Sequence, residues 1–98
     1  MIRHIVLFRL RPEISAGQLD ELMDALRALK DTIPEIRSFE VARDEIGSER
    51  SASFGILSSF DDFDALRRYQ QHPDHQELLS RILLFCEWVR AWDYTLDG

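Results

Sequence analysis

The opening run Ile2 to Leu10, IRHIVLFRL, constrains the fold more than any other stretch. Its even positions are Ile2, His4, Val6, Phe8 and Leu10, and its odd positions include Ile5 and Leu7. Successive side chains of a strand point to opposite faces, so a run that is apolar in both phases needs cover above and below. His4 shares a face with Val6 and Phe8. An imidazole there is either a core group tied to a neighbour, the default for such a site, or a group facing a pocket.

The rest of the chain supplies partners for that strand. Ser15 and Gln18 form an S-x-x-Q capping box, and Leu19, Leu22, Met23, Leu26 and Leu29 follow at helical spacing. This predicts an amphipathic helix over 16–31, stopped by Ile33-Pro34. A second strand is expected over Arg37–Glu45 and a third over Ala52–Phe60, joined as an antiparallel hairpin by a short loop containing Gly47 and Ser48. Asp61 reads as the N-cap of a helix carrying Phe63, Leu66 and Tyr69. The run Glu87 to Leu96 closes the chain as a fourth strand. Trp88, Trp92, Tyr94 and Leu96 take one of its faces, and Val89 and Ala91 the other.

Strand, helix, strand, strand, helix, strand is the order of a ferredoxin-like α+β fold, βαββαβ, with both helices on one face of a four-stranded antiparallel sheet. The other face is then uncovered in a monomer. Ile5, Leu7, Val89 and Ala91 on that face are too apolar to leave in water, which points to a symmetric homodimer with two sheets packed face to face.

Composition narrows the partners. Twelve basic and eighteen acidic residues give a net charge of −6, which disfavours nucleic acid and anionic membranes. The apolar fraction of 45% suits a single globular domain over 1–98. Cys86 is the one cysteine, so no intrachain disulfide is available. Arg3, His4 and Arg9 interrupt the N-terminal apolar run, unlike a signal peptide. No run approaches the ~20 apolar residues of a membrane span. The expectation is a soluble, cytoplasmic protein.

The stretch Tyr69-Gln-Gln-His72-Pro73-Asp-His75 holds the candidate chemistry. Proline is excluded from a helix interior but favoured as the first helical residue. One helix should therefore end near Gln71 and another begin at Pro73. Tyr69 then lies in the last turn of the first helix and His75 in the first turn of the next, and the bend between can aim both at one point. Spacing alone favours a plainer reading, in which His72 caps a helix and Tyr69 is core.

The opening I-R-H-I-V-L-F-R-L, the segment L-R-A-L-K-D-T-I-P-E-I-R-S-F-E-V, the Y-Q-Q-H-P-D-H stretch and the closing D-Y-T together resemble the stress-responsive A/B barrel (Dabb) family over essentially the whole chain. The resemblance implies a ferredoxin-like protomer and a dimeric α+β barrel. A plant branch of that family includes a polyketide cyclase with a pocket between sheet and helices. Its tyrosine matches Tyr69 and its acid/base histidine matches His75. The histidine before the proline matches His72, and the one on the first strand matches His4. A further pocket histidine of the cyclase falls at Phe54 here, so the same substrate does not carry over.

The implied site is a small apolar pocket with His75, Tyr69 and His4 as candidate catalytic residues, lined also by His72, Phe54, Val6, Phe8 and Trp88. At a helix start the dipole disfavours a charged imidazole, so His75 suits a general base near neutral pH. Tyr69 can donate a hydrogen bond to a carbonyl oxygen as an enolate develops. Two functions follow: binding of a small carbonyl or aromatic compound without chemistry, or a cofactor-free cyclase, isomerase or lyase. No cysteine pair or carboxylate cluster completes a metal shell around the histidines. Neither a nucleophile elbow nor a glycine-rich phosphate loop is present. A pocket histidine leaves haem open, but the expectation is no cofactor and no metal, with a second copy of the chain and a small molecule as partners.

Overall fold

Strand β1 (Ile2–Leu10) lies inside the sheet because both of its edges are paired. Ile2 to Phe8 run antiparallel to Phe60 to Phe54 of β3 (Phe54–Phe60), and Ile2 to Leu10 run antiparallel to Thr95 to Cys86 of β4 (Cys86–Thr95). β2 (Ser38–Arg43) pairs with the outer edge of β3, giving the order β2-β3-β1-β4. The computed structural model describes residues 1–96; residues 97 and 98, the end of the expected domain, lie outside the described residues. Three helices complete the chain: α1 (Ala16–Thr32), α2 (Phe63–Gln71) and α3 (Pro73–Phe85). This is the expected ferredoxin-like arrangement, with the second helical stretch divided at Pro73.

Local chemistry sets the helix ends. Ser15 Oγ accepts from the Gln18 backbone N–H and the Gln18 side chain accepts from the Ser15 N–H, as a capping box requires. Leu19, Leu22, Met23, Leu26 and Leu29 then form the buried face of α1. The α2 cap differs from the expectation by one residue. Asp62 accepts from the Ala65 N–H at 2.8 Å, while Asp61 pairs with both Arg37 Nε and Nη2, at 2.9 and 2.7 Å. The guanidinium beside it lowers the Asp61 pKa despite some opposing desolvation, and the carboxylate in turn raises that of Arg37.

The phase of β4 is the main correction. Val89 stands opposite Phe8 and Ala91 opposite Val6, and residues directly opposite in an antiparallel pair share a face. Val89 and Ala91 therefore turn towards the helices. Trp88, Arg90, Trp92 and Tyr94 turn to the uncovered face, with Ile5 and Leu7. Size alone points tryptophans inward; the register turns them out. Leu7 is 44% exposed and Trp92 63%, so that face presents large apolar side chains to solvent in the lone chain.

On the covered side, Phe54, Phe60, Leu22, Leu26 and Ile33 are among the largest fully buried side chains. Phe8 stacks on Phe54, with ring centroids 4.5 Å apart and planes 9° from parallel. Phe60→Ala should remove about 3–5 kcal/mol of stability through lost burial and a cavity, which urea unfolding will measure.

Candidate functional site

Pro73 produces the geometry on which the site rests. It occupies the first position of α3, where its missing N–H costs nothing. His72 sits between the two helices with extended backbone, closing α2 and opening α3. Its N–H bonds the Tyr69 carbonyl at 3.2 Å, and its Nδ1 accepts from the Asp74 N–H at 3.1 Å. Gln76 Nε2 donates to the Gln70 carbonyl at 2.6 Å across the same bend. The bend is thereby pinned from both sides.

Tyr69 and His75 meet there. Their ring centroids are 4.6 Å apart with planes at 62°. His4 lies across from them, its ring 6.3 Å from that of Tyr69. These three line a cavity of about 260 Å³ between the sheet and the helices. Val6, Phe8, Ile56 and Val89 form its sheet wall, and Leu26, Leu78 and Ile82 are among its helix side.

The other expected lining residues lie elsewhere. His72 is the helix cap, the plainer of its two readings. Phe54 is buried behind Phe8. Trp88 is on the opposite face of the sheet, where Arg90 sits 4.3 Å over its ring. Val89 takes the place in the cavity wall expected of Trp88.

One residue was not singled out in the sequence. Asp93 faces His4 across the β1–β4 ladder, and its carboxylate bonds His4 Nδ1. The His4 ring is buried, while the Asp93 carboxylate keeps about a third of its surface exposed. A neutral imidazole that donates Nδ1–H to a carboxylate carries its lone pair on Nε2. The available signal was the two-residue period Val89, Ala91, Asp93, whose meaning depended on the phase of β4.

Burial also tunes the other two groups. Tyr69 is only 2% exposed, and desolvation drives its pKa far above the ordinary tyrosine value. Its hydroxyl therefore stays protonated and able to donate. Desolvation lowers the His75 pKa, opposed by the Gln70 carbonyl and reinforced by the neighbouring His4 and His72. His75 Nδ1 is buried without a partner among the described residues. The cavity therefore presents a neutral imidazole, a protonated phenol and a carboxylate-anchored imidazole against apolar walls. Among the described residues no group of three or more His, Cys, Asp or Glu side chains is placed to hold a metal ion.

Fold and cavity together define a ferredoxin-like α+β domain with a small, partly open apolar cavity between sheet and helices. Residues 2–96 match the family described as the Stress responsive A/B Barrel Domain, and the chain belongs to that family. An uncharacterised protein of Streptomyces coelicolor is 39% identical over 101 residues, covering 96% of this chain and 98% of the relative. Among solved structures, a dimeric ferredoxin-like protein of unknown function from Thermobifida fusca is 30% identical with a TM-score of 0.87, covering 97% of this chain and 90% of that one. A hydroxynitrile lyase from Passiflora edulis superposes with a TM-score of 0.89 over 98% of this chain and 93% of that one. At 19% identity that likeness is one of fold alone.

Because the folded state lowers the His75 pKa, the unfolded chain binds the extra proton first as pH falls below about 6.5. The contribution of neutral His75 is thus fully present above that pH and is lost on acidification towards the folded pKa. A series of melts from neutral to mildly acidic pH should show this loss in the wild type and a shallower one in His75→Gln. NMR titration of the His75 ring should give a midpoint below 6.5.

Proposed function

We infer that the chain acts as a homodimer whose cavity binds a small carbonyl or aromatic compound, and that it does so in the cytoplasm. The single observation carrying the ligand class is the contrast inside the cavity. Apolar walls surround the imidazole of His75, whose Nδ1 is buried without a partner among the described residues, beside the protonated phenol of Tyr69. An enclosed apolar site with a few convergent polar groups selects a largely apolar ligand with one or two acceptors. A carbonyl oxygen placed against Tyr69 would accept from its hydroxyl, and the cavity of about 260 Å³ suits a small molecule. The dimer is supported by the exposed apolar face of the sheet and by the dimeric state of the related Thermobifida fusca protein.

A second reading is favoured by the His4–Asp93 pair. A carboxylate that fixes one nitrogen of an imidazole leaves the other poised as a proton acceptor. With His75 and Tyr69 as an acid/base pair beside it, the site suits proton abstraction next to a carbonyl, with Tyr69 donating to the developing oxyanion. That is the chemistry of a cofactor-free cyclase, isomerase or lyase.

Both readings meet one experiment. Aromatic ketones and aldehydes are titrated into 15N- and methyl-labelled protein in deuterated buffer. Binding should shift the methyl signals of Val6, Leu26 and Ile82, and Tyr69→Phe should weaken it about five- to thirtyfold, the loss of one hydrogen bond. No methyl shifts with any carbonyl probe would refute the ligand class. Enzyme-dependent deuterium uptake at the carbon beside the carbonyl, lost in His75→Ala, supports the second reading; binding without uptake removes it. Leu7→Asp, placing a charge on the apolar face, should give a folded monomer by light scattering. A Leu7→Asp protein that stays dimeric would show that this face is not the interface.

A further inference from the structure

The uncovered face of the sheet has a regular grid of side chains, because every strand pair is in known register. One row reads Glu40, Leu57, Ile5, Trp92 from β2 to β4, and the next reads Ala42, Gly55, Leu7, Arg90. Two features on it have opposite shape. Trp92 projects from β4, packed on Tyr94 at a centroid distance of 4.8 Å yet 63% exposed. Two strands away, Gly55 contributes no side chain, and a depression of about 200 Å³ opens there between Ile5, Leu7, Glu40, Ala42 and Leu57. A Cβ at Gly55 would come within 3.1 Å of the Leu7 side chain and the Val6 carbonyl, so glycine keeps the floor of this depression low.

Charge is distributed as unevenly as shape. The chain carries a net charge of −6, yet Arg3 and Arg90 lie on the β1–β4 half of this face, while Arg9 of β1 reaches to the β2–β3 connection and donates to the Ser51 carbonyl. Arg3 Nε is buried with no acceptor among the described residues. Glu40 lies on the β2 half, the far edge.

Two sheets face to face in a symmetric pair are related by an axis lying between them. An axis across the strands sets β4 over β4, so the basic half of one copy faces the basic half of the other and the two Glu40 edges face each other. An axis along the strands sets β4 of one copy over β2 of the other, bringing the basic half over the acidic edge and Trp92 over the depression. Like charges opposed in an interface are costly and opposite charges set the register, so the second arrangement is the favoured one. We propose that the dimer interlocks through Trp92 of each copy seated in the Gly55 depression of the other, with Glu40 at the rim accepting the indole N–H. The proposal rests on the homodimer inferred above and specifies what fixes its orientation. A buried tryptophan in a pocket is the kind of side chain that dominates interface energetics.

The test is a size-exchange cycle read by sedimentation velocity from nanomolar to high micromolar protein. Trp92→Ala removes the knob, and Ala42→Leu fills the depression from its own chain. Each single change should raise the dimer Kd at least about tenfold. In the double variant the leucine occupies space that Trp92 has vacated, so its Kd should be no weaker than that of Trp92→Ala alone. Thermal melts at low concentration establish that each variant folds, with Ala42→Val replacing Ala42→Leu if the larger side chain does not. Fold-changes that multiply in the double variant overturn the interlock, as does an unchanged Kd on filling the depression, while leaving the dimer standing. A wild-type chain that is monomeric throughout overturns the dimer itself and the interlock with it.

Discussion

β1 is hydrogen-bonded to β3 along one edge and to β4 along the other, and its two faces carry different loads. The even face gives Ile2, Val6 and Phe8 to the space beneath the helices and His4 to the cavity. The odd face gives Ile5 and Leu7 to the uncovered side. Removing or shifting this strand by one residue would exchange those sets, moving the imidazole out to solvent and leucine into the cavity. The core, the cavity and the exposed apolar face are therefore three results of one register.

The helices answer that strand in a way that depends on Pro73. An unbroken helix through residues 63–85 would carry Tyr69 and His75 on one rod, at a spacing of six, about a third of a turn apart and well over one turn along the axis. The break lets α3 restart in a new direction, so that both rings meet over the sheet at 4.6 Å. His72 is spent on holding that break. Its imidazole caps α3, which leaves His4 and His75 as the imidazoles in the cavity wall.

Much of this was legible in the sequence, for reasons that differ between elements. The capping box at Ser15, the leucine stripe of α1 and the Pro73 break are local signals, and each is found where expected to within a residue or two. The bend likewise makes the proximity of Tyr69 and His75 readable, because it needs only local geometry. What failed to show was long-range. β4 alternates large aromatic with small and polar residues, and a strand read alone does not reveal which phase faces in. Only its pairing with β1 settles that Val89 lines the cavity and Trp88 does not. Asp93 was hidden by the same ambiguity, since its partner is on the first strand. The one-residue error at Asp61 has a local cause: two adjacent aspartates can each cap, and the pull of Arg37 decides between them.

The bond between His4 and Asp93 joins residues 89 apart in the chain. Closing a contact of that span carries the loop entropy of nearly the whole chain, a cost that grows only slowly with length. During synthesis the imidazole of His4 emerges early and waits, unanchored, until β4 has been made and docked beside β1. The same strand brings Val89, so the cavity wall and the anchor of His4 are completed together. An anchored His4 therefore reports that β4 lies docked beside β1. The seating of the C-terminal strand is thereby felt inside the cavity, at one nitrogen of one ring.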